Sequence, residues 1–146
     1  MRQLGPVLDF LRALWALDHA LQSASKRMET TLGVTGPQRF VIRMIGRFPA
    51  ISAGKVSELL HVHPSTLTGV LKRLEQRGLV LRRADPADAR RALLELTAKG
   101  RRVDAIRVGT VEGAARKALG KVPAASMRQA RAVAEAITAE LDGLVG

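Results

Sequence analysis

The stretch from His63 to Val80, HPSTLTGVLKRLEQRGLV, constrains the fold of this chain more than any other. Its apolar residues recur every three or four positions, the spacing of one helical face: Leu67, Val70, Leu71 and Leu74. Pro64 suits the first helical position, where its missing N–H leaves no hydrogen bond unmade, and Gly78 suits the position just past the end. The sequence therefore predicts an amphipathic helix that begins at Pro64.

The opposite face of this helix is polar. Short hydrogen-bonding groups stand near its N-terminus and long cations follow: Ser65, Thr66, Thr68, Lys72, Arg73, Gln76 and Arg77. A helix that reads DNA places polar side chains on base edges from its first turns and cations on the phosphates beside them. An ordinary amphipathic surface helix shows the same pattern, so this helix alone leaves both interpretations open.

The element before this helix favours the DNA interpretation. Ser52 suits the N-cap of a short preceding helix, because serine is a preferred capping residue. His61-Val62-His63 is then a brief turn into the Pro64 helix. Two short helices joined by such a turn form a helix-turn-helix.

The element after it predicts a β-hairpin wing. Residues 79–83 and 92–96 have strand character, and the loop between them is polar and rich in turn residues. Arg90 and Arg91 lie in this loop, where they suit a minor groove, whose negative potential attracts arginine. Asp88 stands two residues before Arg90, a spacing that suits charge-assisted hydrogen bonds to its guanidinium.

The charge of the chain indicates a polyanionic partner. The formal net charge is +11, and residues 72–107 hold eleven basic and five acidic side chains, more than half of that net charge. Such a balance favours a nucleic acid over a membrane surface. No apolar run approaches the roughly 20 residues of a membrane span, and no signal peptide is recognisable, so we expect a soluble, cytoplasmic protein. The absence of cysteine excludes disulfides and thiolate chemistry.

The two ends of the chain predict dimerisation helices. The first helix runs from Gly5-Pro6 to about Leu32, and its apolar residues cover so wide an arc that two surfaces are needed to bury them. Thr35 and Gln38 then match a capping box at the start of the second helix. The last helix carries a packing seam in alternating steps of three and four: Ala130, Val133, Ile137, Leu141 and Leu144.

Two intermediate helices complete the expected order. In the second helix we expect one face to enter the core, and the arginines on another face to be solvated. The core face is Phe40, Val41, Met44, Ile45 and Phe48, and the arginines are Arg39, Arg43 and Arg47. Thr97 caps a fifth helix, which we expect to continue to Leu119 and to end at Lys121-Val122-Pro123.

Two smaller features suggest ligands. His61 and His63 form a His-x-His pair, but two ligands do not make a metal site, and neither a thiolate nor a nearby third histidine exists, so we expect no metal and no cofactor. One face of the first helix carries Trp15, Asp18 and His19, with Arg43 as a candidate opposite them. This group suits a small aromatic anion, whereas core packing of Trp15 beside satisfied polar groups is the alternative.

The stretch HPSTLTGVLKRLEQRGLVLRRADPADARRALLELTAKG closely resembles the multiple antibiotic resistance regulator (MarR) family. Three parts carry the resemblance, in order: a Pro-Ser-Thr-x-x-Thr helix, an Arg-Leu-Glu-x-x-Gly-Leu-Val exit and an Asp-x-Arg wing before Leu-Thr-x-x-Gly. The resemblance implies a mainly α chain with a small β-hairpin wing, a winged helix-turn-helix with N- and C-terminal dimerisation helices. Residues 1–146 then form one domain, in which 1–34 and 98–146 dimerise and 35–97 bind DNA.

The resemblance also implies a function. Such proteins bind pseudo-palindromic double-stranded DNA as homodimers, usually as repressors that a phenolic or lipophilic ligand releases. Ser65, Thr66 and Thr68 then meet bases or phosphates, Arg73 lies on the backbone or a base, and Asp88 with Arg90 forms the wing contact. Gly69 departs from the longer residue common at its position, which puts one DNA contact in doubt.

Three other classes of protein compete with this interpretation. We expect no enzyme, because the chain has no Gly-rich phosphate loop, metal-ligand cluster or nucleophile motif. A non-specific architectural DNA-binding protein remains open, and weak discrimination between DNA sequences with no ligand response distinguishes it. A winged helix used only for protein contacts is the third class, and the basic wing argues against it.

Overall fold

A computed structural model of the chain describes residues 3–145, which form seven helices and one small antiparallel sheet. This architecture confirms the predicted fold class. The elements follow in the order α1 (Pro6–Leu32), α2 (Gly36–Arg47), β1 (Ile51–Ser52), α3 (Ala53–Leu60), α4 (Pro64–Gln76), β2 (Val80–Ala84), β3 (Ala92–Leu96), α5 (Ala98–Ala105), α6 (Val111–Leu119) and α7 (Ala124–Val145). They divide into two compact units, one up to Thr110 and one from Val111.

The predicted signals at the junction of α1 and α2 are confirmed. Gly33 ends α1 in the left-handed conformation, with φ of 78°, and its N–H donates to the Glu29 carbonyl at 3.1 Å. Thr35 then caps α2: its hydroxyl accepts from the Gln38 N–H at 3.3 Å, while the Gln38 side chain accepts from the Thr35 N–H at 3.1 Å. Both ends of this turn are therefore fixed by local sequence.

The core of the first unit lies between α2, α3, α4 and the sheet. Each of these elements contributes apolar side chains that are almost fully removed from solvent: Val34, Val41, Ile42, Ile45, Ile51, Val56, Leu67, Leu71, Leu74, Leu79, Val80, Leu94 and Leu96. In contrast, α1 buries only Met28 to that degree. The core therefore holds the helix-turn-helix and the wing as one body.

The sheet has a third strand that the sequence did not predict. The strand order is β1-β3-β2, with both pairs antiparallel. In β1, Ile51 pairs with Leu94 and Ser52 with Leu93, so the residues before α3 are tied to the wing. Two residues are too few to show the alternation of polar and apolar side chains by which strands are recognised.

The predicted core face of α2 is confirmed for Val41 and Ile45, which are each 1% exposed, but wrong for two phenylalanines and one arginine. Phe40 and Phe48 were expected in the core and are 57% and 50% exposed, whereas Arg39 was expected in solvent and is 1% exposed. Its guanidinium donates from Nη1 to the Val103 carbonyl and from Nη2 to the Ile106 carbonyl, both at 2.5 Å. The last carbonyls of a helix have no partner within that helix, and Arg39 supplies one at the end of α5.

The predicted single helix from Thr97 to Leu119 is also wrong, because it is two helices. Thr97 caps α5 as expected, with its hydroxyl accepting from the Gly100 N–H at 3.0 Å. However, α5 ends at Ala105, and Gly109 then adopts a left-handed φ of 77° before α6 begins. The carbonyls that bond Arg39 lie at this break, so a contact made across the fold satisfies carbonyls at the end of the helix.

We predict that Arg39→Ala destabilises the protein by about 2–4 kcal/mol, since it removes two hydrogen bonds to the carbonyls of Val103 and Ile106 and leaves a cavity where the buried Arg39 side chain lay. Arg39→Lys should give an intermediate loss, because one ammonium group does not reproduce the two-pronged geometry of a guanidinium. Urea denaturation followed by far-UV circular dichroism, at one fixed protein concentration, measures both.

Arg47→Ala is the matched control, because Arg47 lies on the same helix but is exposed, with its guanidinium 5.8 Å from the centre of the Phe48 ring. We expect it to change the stability by less than about 0.5–1 kcal/mol. Equal stabilities of Arg39→Ala and Arg47→Ala would contradict the role given to Arg39.

Candidate nucleic-acid interface

The start of α4 is defined by two consecutive residues. Pro64 occupies the first turn, as predicted, and His63 before it is the N-cap. The Nδ1 atom of His63 accepts a hydrogen bond from the Ser65 N–H at 3.2 Å. The helix therefore begins at a fixed point, from which its first polar side chains extend.

The burial of one face of α4 directs the other face to solvent. Leu67, Leu71 and Leu74 are 3%, 1% and 0% exposed. The predicted DNA-contacting residues on the remaining surface of α4 are all exposed: Ser65, Thr66, Thr68, Lys72 and Arg73. The Thr68 hydroxyl donates to the Pro64 carbonyl at 2.9 Å. These side chains form one continuous polar surface on the helix.

The turn between α3 and α4 is held by hydrogen bonds. His61 ends α3 in the left-handed conformation, with φ of 54°. The Val62 carbonyl then accepts from the Ser57 hydroxyl at 2.7 Å, and the Val62 N–H donates to the Ser57 carbonyl at 3.1 Å. The angle at which α4 leaves α3 is thus fixed by backbone and side-chain contacts.

The far end of α4 is tied to two other elements. The Arg77 guanidinium donates to the Gly33 carbonyl at the end of α1, and the Arg77 carbonyl accepts from Lys99 Nζ at 3.1 Å. Gly78 follows with a left-handed φ of 69°, as its predicted position past the helix requires. Arg77 was predicted to contact DNA, and in this structure its guanidinium lies against α1, so a DNA contact remains a prediction.

Two ion pairs order the strands of the wing. Arg83 of β2 meets Glu95 of β3, with its Nη2 3.0 Å from the carboxylate. Arg82 turns to the other side and its Nε lies 2.7 Å from Glu75, near the end of α4. The second pair connects the wing directly to the helix. It was not predicted, because nothing local to either residue indicates that they meet.

The tip of the wing holds Arg90 in one pose, as predicted. Asp88 accepts hydrogen bonds from the Arg90 N–H at 3.1 Å and from its Nε at 3.2 Å. The hydrogen bonds from the Arg90 side chain and backbone hold the pKa of the Asp88 carboxyl below its ordinary value. Arg90 itself is 91% exposed and Arg91 beside it is exposed too, so both cations are available to an anion.

The four predicted ligand-binding residues are not brought together in a pocket. Trp15 is 67% exposed, and Asp18 accepts from Gln22 Nε2 at 2.9 Å on the same exposed helix as His19. Arg43 Nη1 lies 2.8 Å from Asp104 Oδ1, so its guanidinium already has a carboxylate partner. One surface pocket lies at the wing and another between α3 and α4, and neither is lined by any of these four side chains.

Two other kinds of site are absent from the described part of the chain. No group of three or more His, Cys, Asp or Glu side chains there has the arrangement of a metal site. No helix in residues 3–145 combines the length and the apolar character that crossing a bilayer requires.

The sequence is similar to known transcriptional regulators. A model of the MarR family matches residues 34–92, which include α2 to α4 and most of the wing. Transcriptional regulator HosA of Escherichia coli O111:H- is 33% identical over 76% of this chain and 83% of its own length. The organic hydroperoxide resistance transcriptional regulator of Bacillus subtilis strain 168 is 31% identical over 60% of this chain. That match spans 59% of the relative, less than two thirds of its length.

Solved structures share the fold at lower sequence identity. The MepR–DNA complex of S. aureus has a TM-score of 0.75 and 15% identity, and the match covers 90% of this chain and 97% of that one. The PcaV transcriptional regulator from Streptomyces coelicolor, in complex with its natural ligand, has a TM-score of 0.73 and 24% identity, over 94% and 97% of the two chains. These likenesses show the winged-helix fold.

Proposed function

Because this chain belongs to the MarR family, whose members are DNA-binding transcription regulators and not enzymes, we propose that it is a homodimeric, sequence-specific repressor that a small ligand releases from DNA. The single observation that carries the DNA-binding part is the exposed polar face of α4 beside a wing whose Arg90 is held in one pose. The DNA partner agrees with our expectation of a cytoplasmic protein.

In the proposed complex α4 lies in the major groove of double-stranded DNA. Ser65, Thr66 and Thr68 then meet base edges or phosphates from the first turns, as recognition helices do. Lys72 and Arg73 follow on the same exposed surface and neutralise phosphates. An added Cβ at Gly69 meets no atom within 4 Å, so the helix leaves open space there for the DNA.

The wing extends the proposed interface to the minor groove. Arg90 and Arg91 are the cations at its tip, and narrow minor grooves attract arginine through their negative potential. Asp88 orients Arg90, so it acts on DNA through that arginine. The net charge of +11 adds long-range attraction, which speeds the encounter with any DNA sequence.

We propose that a second copy of the chain buries the large apolar side chains that are exposed on α1 and α7. On α1 Val7, Leu8, Phe10, Trp15, Leu17 and Leu21 are each at least 43% exposed, and on α7 Met127, Val133, Leu141 and Leu144 are each at least 44% exposed. Residues 1–34 and 98–146 are therefore proposed to dimerise and 35–97 to bind DNA. Two-fold symmetry then matches a pseudo-palindromic operator with half-sites about 34–36 Å apart.

The ligand is proposed to be a small aromatic or lipophilic molecule. Trp15 offers an exposed ring for stacking, and His19 and Asp18 offer polar groups one turn away. Arg43 joins them only if an anion replaces Asp104 as its partner. Release from DNA requires the ligand to bind the DNA-free conformation more tightly than the DNA-bound one.

The first test of the proposal is the oligomeric state. Leu141→Glu should convert the dimer to monomer and weaken DNA binding, because it places a charge on the exposed apolar side of α7. Ala139→Glu is the matched control, since it adds the same charge about half a helical turn away. Sedimentation velocity at micromolar concentration measures both, and a wild-type protein that sediments only as monomer contradicts the dimer.

The second test separates base reading from backbone contact. The operator is first obtained by sequencing the DNA fragments that the purified protein selects. Thr66→Ala, Thr68→Ala and Arg73→Ala should each cost about 1–3 kcal/mol on this operator and much less on a scrambled duplex, if they read base edges. Arg90→Ala should weaken both duplexes by a similar factor and lower the salt slope by about one unit for each phosphate that is no longer neutralised.

Two further variants complete this test. Asp88→Ala should act like Arg90→Ala but less, because it removes only the orienting carboxylate. Arg131→Ala removes the same charge from α7, outside the DNA-binding residues 35–97 and away from the apolar seam of that helix, and should leave the salt slope unchanged. An unchanged slope and affinity for Arg90→Ala would remove the wing from the interface. Equal binding of wild type to both duplexes would instead indicate a non-specific architectural DNA-binding protein.

The third test addresses the ligand. Trp15 is the only tryptophan, so its fluorescence reports on one place in the chain. Phenolic acids should quench it and lower operator affinity together, and their neutral methyl esters should act more weakly if a cation pairs with the carboxylate. If neither fluorescence nor DNA affinity responds to a panel of such acids, Trp15 belongs to a packing surface and not to a ligand site.

A further inference from the structure

The residue that caps the proposed recognition helix is unusual. Three other helices, α2, α3 and α5, are capped by the side chains of Thr35, Ser52 and Thr97, all of them preferred capping residues. α4 begins instead at His63, whose Nδ1 lies 3.2 Å from the Ser65 nitrogen and 2.7 Å from the Ser65 hydroxyl oxygen. The helix that differs is the one that carries the predicted DNA contacts.

The geometry determines the protonation state in which His63 is a cap. A backbone N–H only donates, so Nδ1 must accept, and the single ring proton of the neutral imidazole is then on Nε2. In this tautomer the Ser65 hydroxyl, 2.7 Å from Nδ1, acts as a donor to the same atom. A doubly protonated ring has no acceptor, and it also places a positive charge at the helix N-terminus, where the helix dipole is already positive.

Other ionisable groups lie on the segments that adjoin this cap. His61 lies two residues before it in the turn, and Glu58 and Lys55 form a pair at 3.3 Å on α3. On α4 itself Lys72 and Arg73 lie two turns further on. Of these side chains only the histidines belong to the type that ordinarily changes charge between about pH 5 and 8. A variant of His61 therefore serves as the control for the other imidazole in the turn.

We propose that His63 is a positioning residue for DNA recognition and performs this role only while its imidazole is uncharged. The inference rests on the proposed function, in which α4 reads DNA. The uncharged cap orders the first turn, which carries Ser65 and Thr66 and leads into Thr68, before the DNA arrives. When the ring is protonated, that order has to be recovered during binding, and discrimination between DNA sequences falls.

Discrimination, not affinity alone, is the quantity to measure. A protonated His63 attracts phosphates, but it does so equally on every sequence, because phosphates carry no sequence information. The ratio of operator affinity to scrambled-duplex affinity removes that common attraction. A cap of ordinary strength corresponds to about a fivefold change per recognition helix, and about 25-fold for the two helices of a dimer.

The experiment measures this ratio between pH 8 and pH 5.5 at constant salt for four proteins. Wild type should discriminate well at pH 8 and lose about five- to 25-fold as the pH falls. His63→Asn should keep its discrimination over the whole range, because the Asn side-chain oxygen replaces Nδ1 as acceptor and does not titrate. His63→Ala should discriminate poorly at every pH, and His61→Asn should follow wild type.

Three outcomes overturn the proposal: a His63→Ala variant that matches wild type at pH 8, a His63→Asn variant that keeps the wild-type pH dependence, or a wild-type ratio that rises in acid. Circular dichroism of each variant at both pH values shows whether the protein is folded. If His63→Ala does not fold, the pH dependence of discrimination in His63→Asn still tests the proposal. Wild type that fails to discriminate even at pH 8 overturns the proposed function, and this inference with it.

Discussion

The burial of three leucines on α4 determines what the rest of this molecule presents to solvent. Leu67, Leu71 and Leu74 lie in the core of the first unit, so the helix has one possible rotation about its axis. That rotation turns its threonines and cations outward together. The core also contains Leu94 and Leu96 of β3, and the wing is therefore packed against the same apolar cluster. One hydrophobic cluster thus fixes both candidate DNA-contacting elements.

Ion pairs order the arginine side chains of the wing while leaving them in contact with water. Arg82, Arg83 and Arg90 each have a carboxylate partner within 3.2 Å, and all three arginines remain substantially exposed. Exposed pairs of this kind contribute only about 0–1 kcal/mol, so a phosphate competes with the carboxylate at little cost. The pairing still restricts the long side chains before binding, which lowers the entropy lost in a complex.

Much of the fold was predictable because its signals are local. Pro64, Gly78, Gly33, the Thr35–Gln38 box and the Thr97 cap each act within a few residues of the chain, and the structure contains them as expected. The errors have a common cause in contacts across the fold. The predicted and the observed core faces of α2 both contain Val41 and Ile45. The observed face is the one on which Arg39 is also buried. The same guanidinium bonds the carbonyls of Val103 and Ile106 at the end of α5, so both errors lie at one unpredicted contact.

The candidate interface was predictable in its residue types but not in all of its connections. The polar face of α4 and the Asp88–Arg90 pair follow from helical spacing and from two-residue proximity. The Glu75–Arg82 pair and the Arg77–Gly33 contact join elements whose mutual placement only the folded chain defines. From the sequence, His63 was interpreted as part of the turn into α4, and its pairing with His61 was not expected to bind a metal. Its capping role depends on the rotamer that brings Nδ1 to Ser65.

The helices at the two ends of the chain, α1 and α7, bury little apolar surface within the single chain. Every residue from 124 to 144 is exposed except the half-buried Ile137, and α1 buries one of its 27 residues. Helices in proteins owe most of their stability to packing of an apolar face, which propensity alone does not replace. In the proposed dimer, order in these helices and association are therefore one equilibrium that depends on protein concentration. A ligand that contacts such helices needs only a modest differential affinity to change the distance between the two DNA-reading lobes.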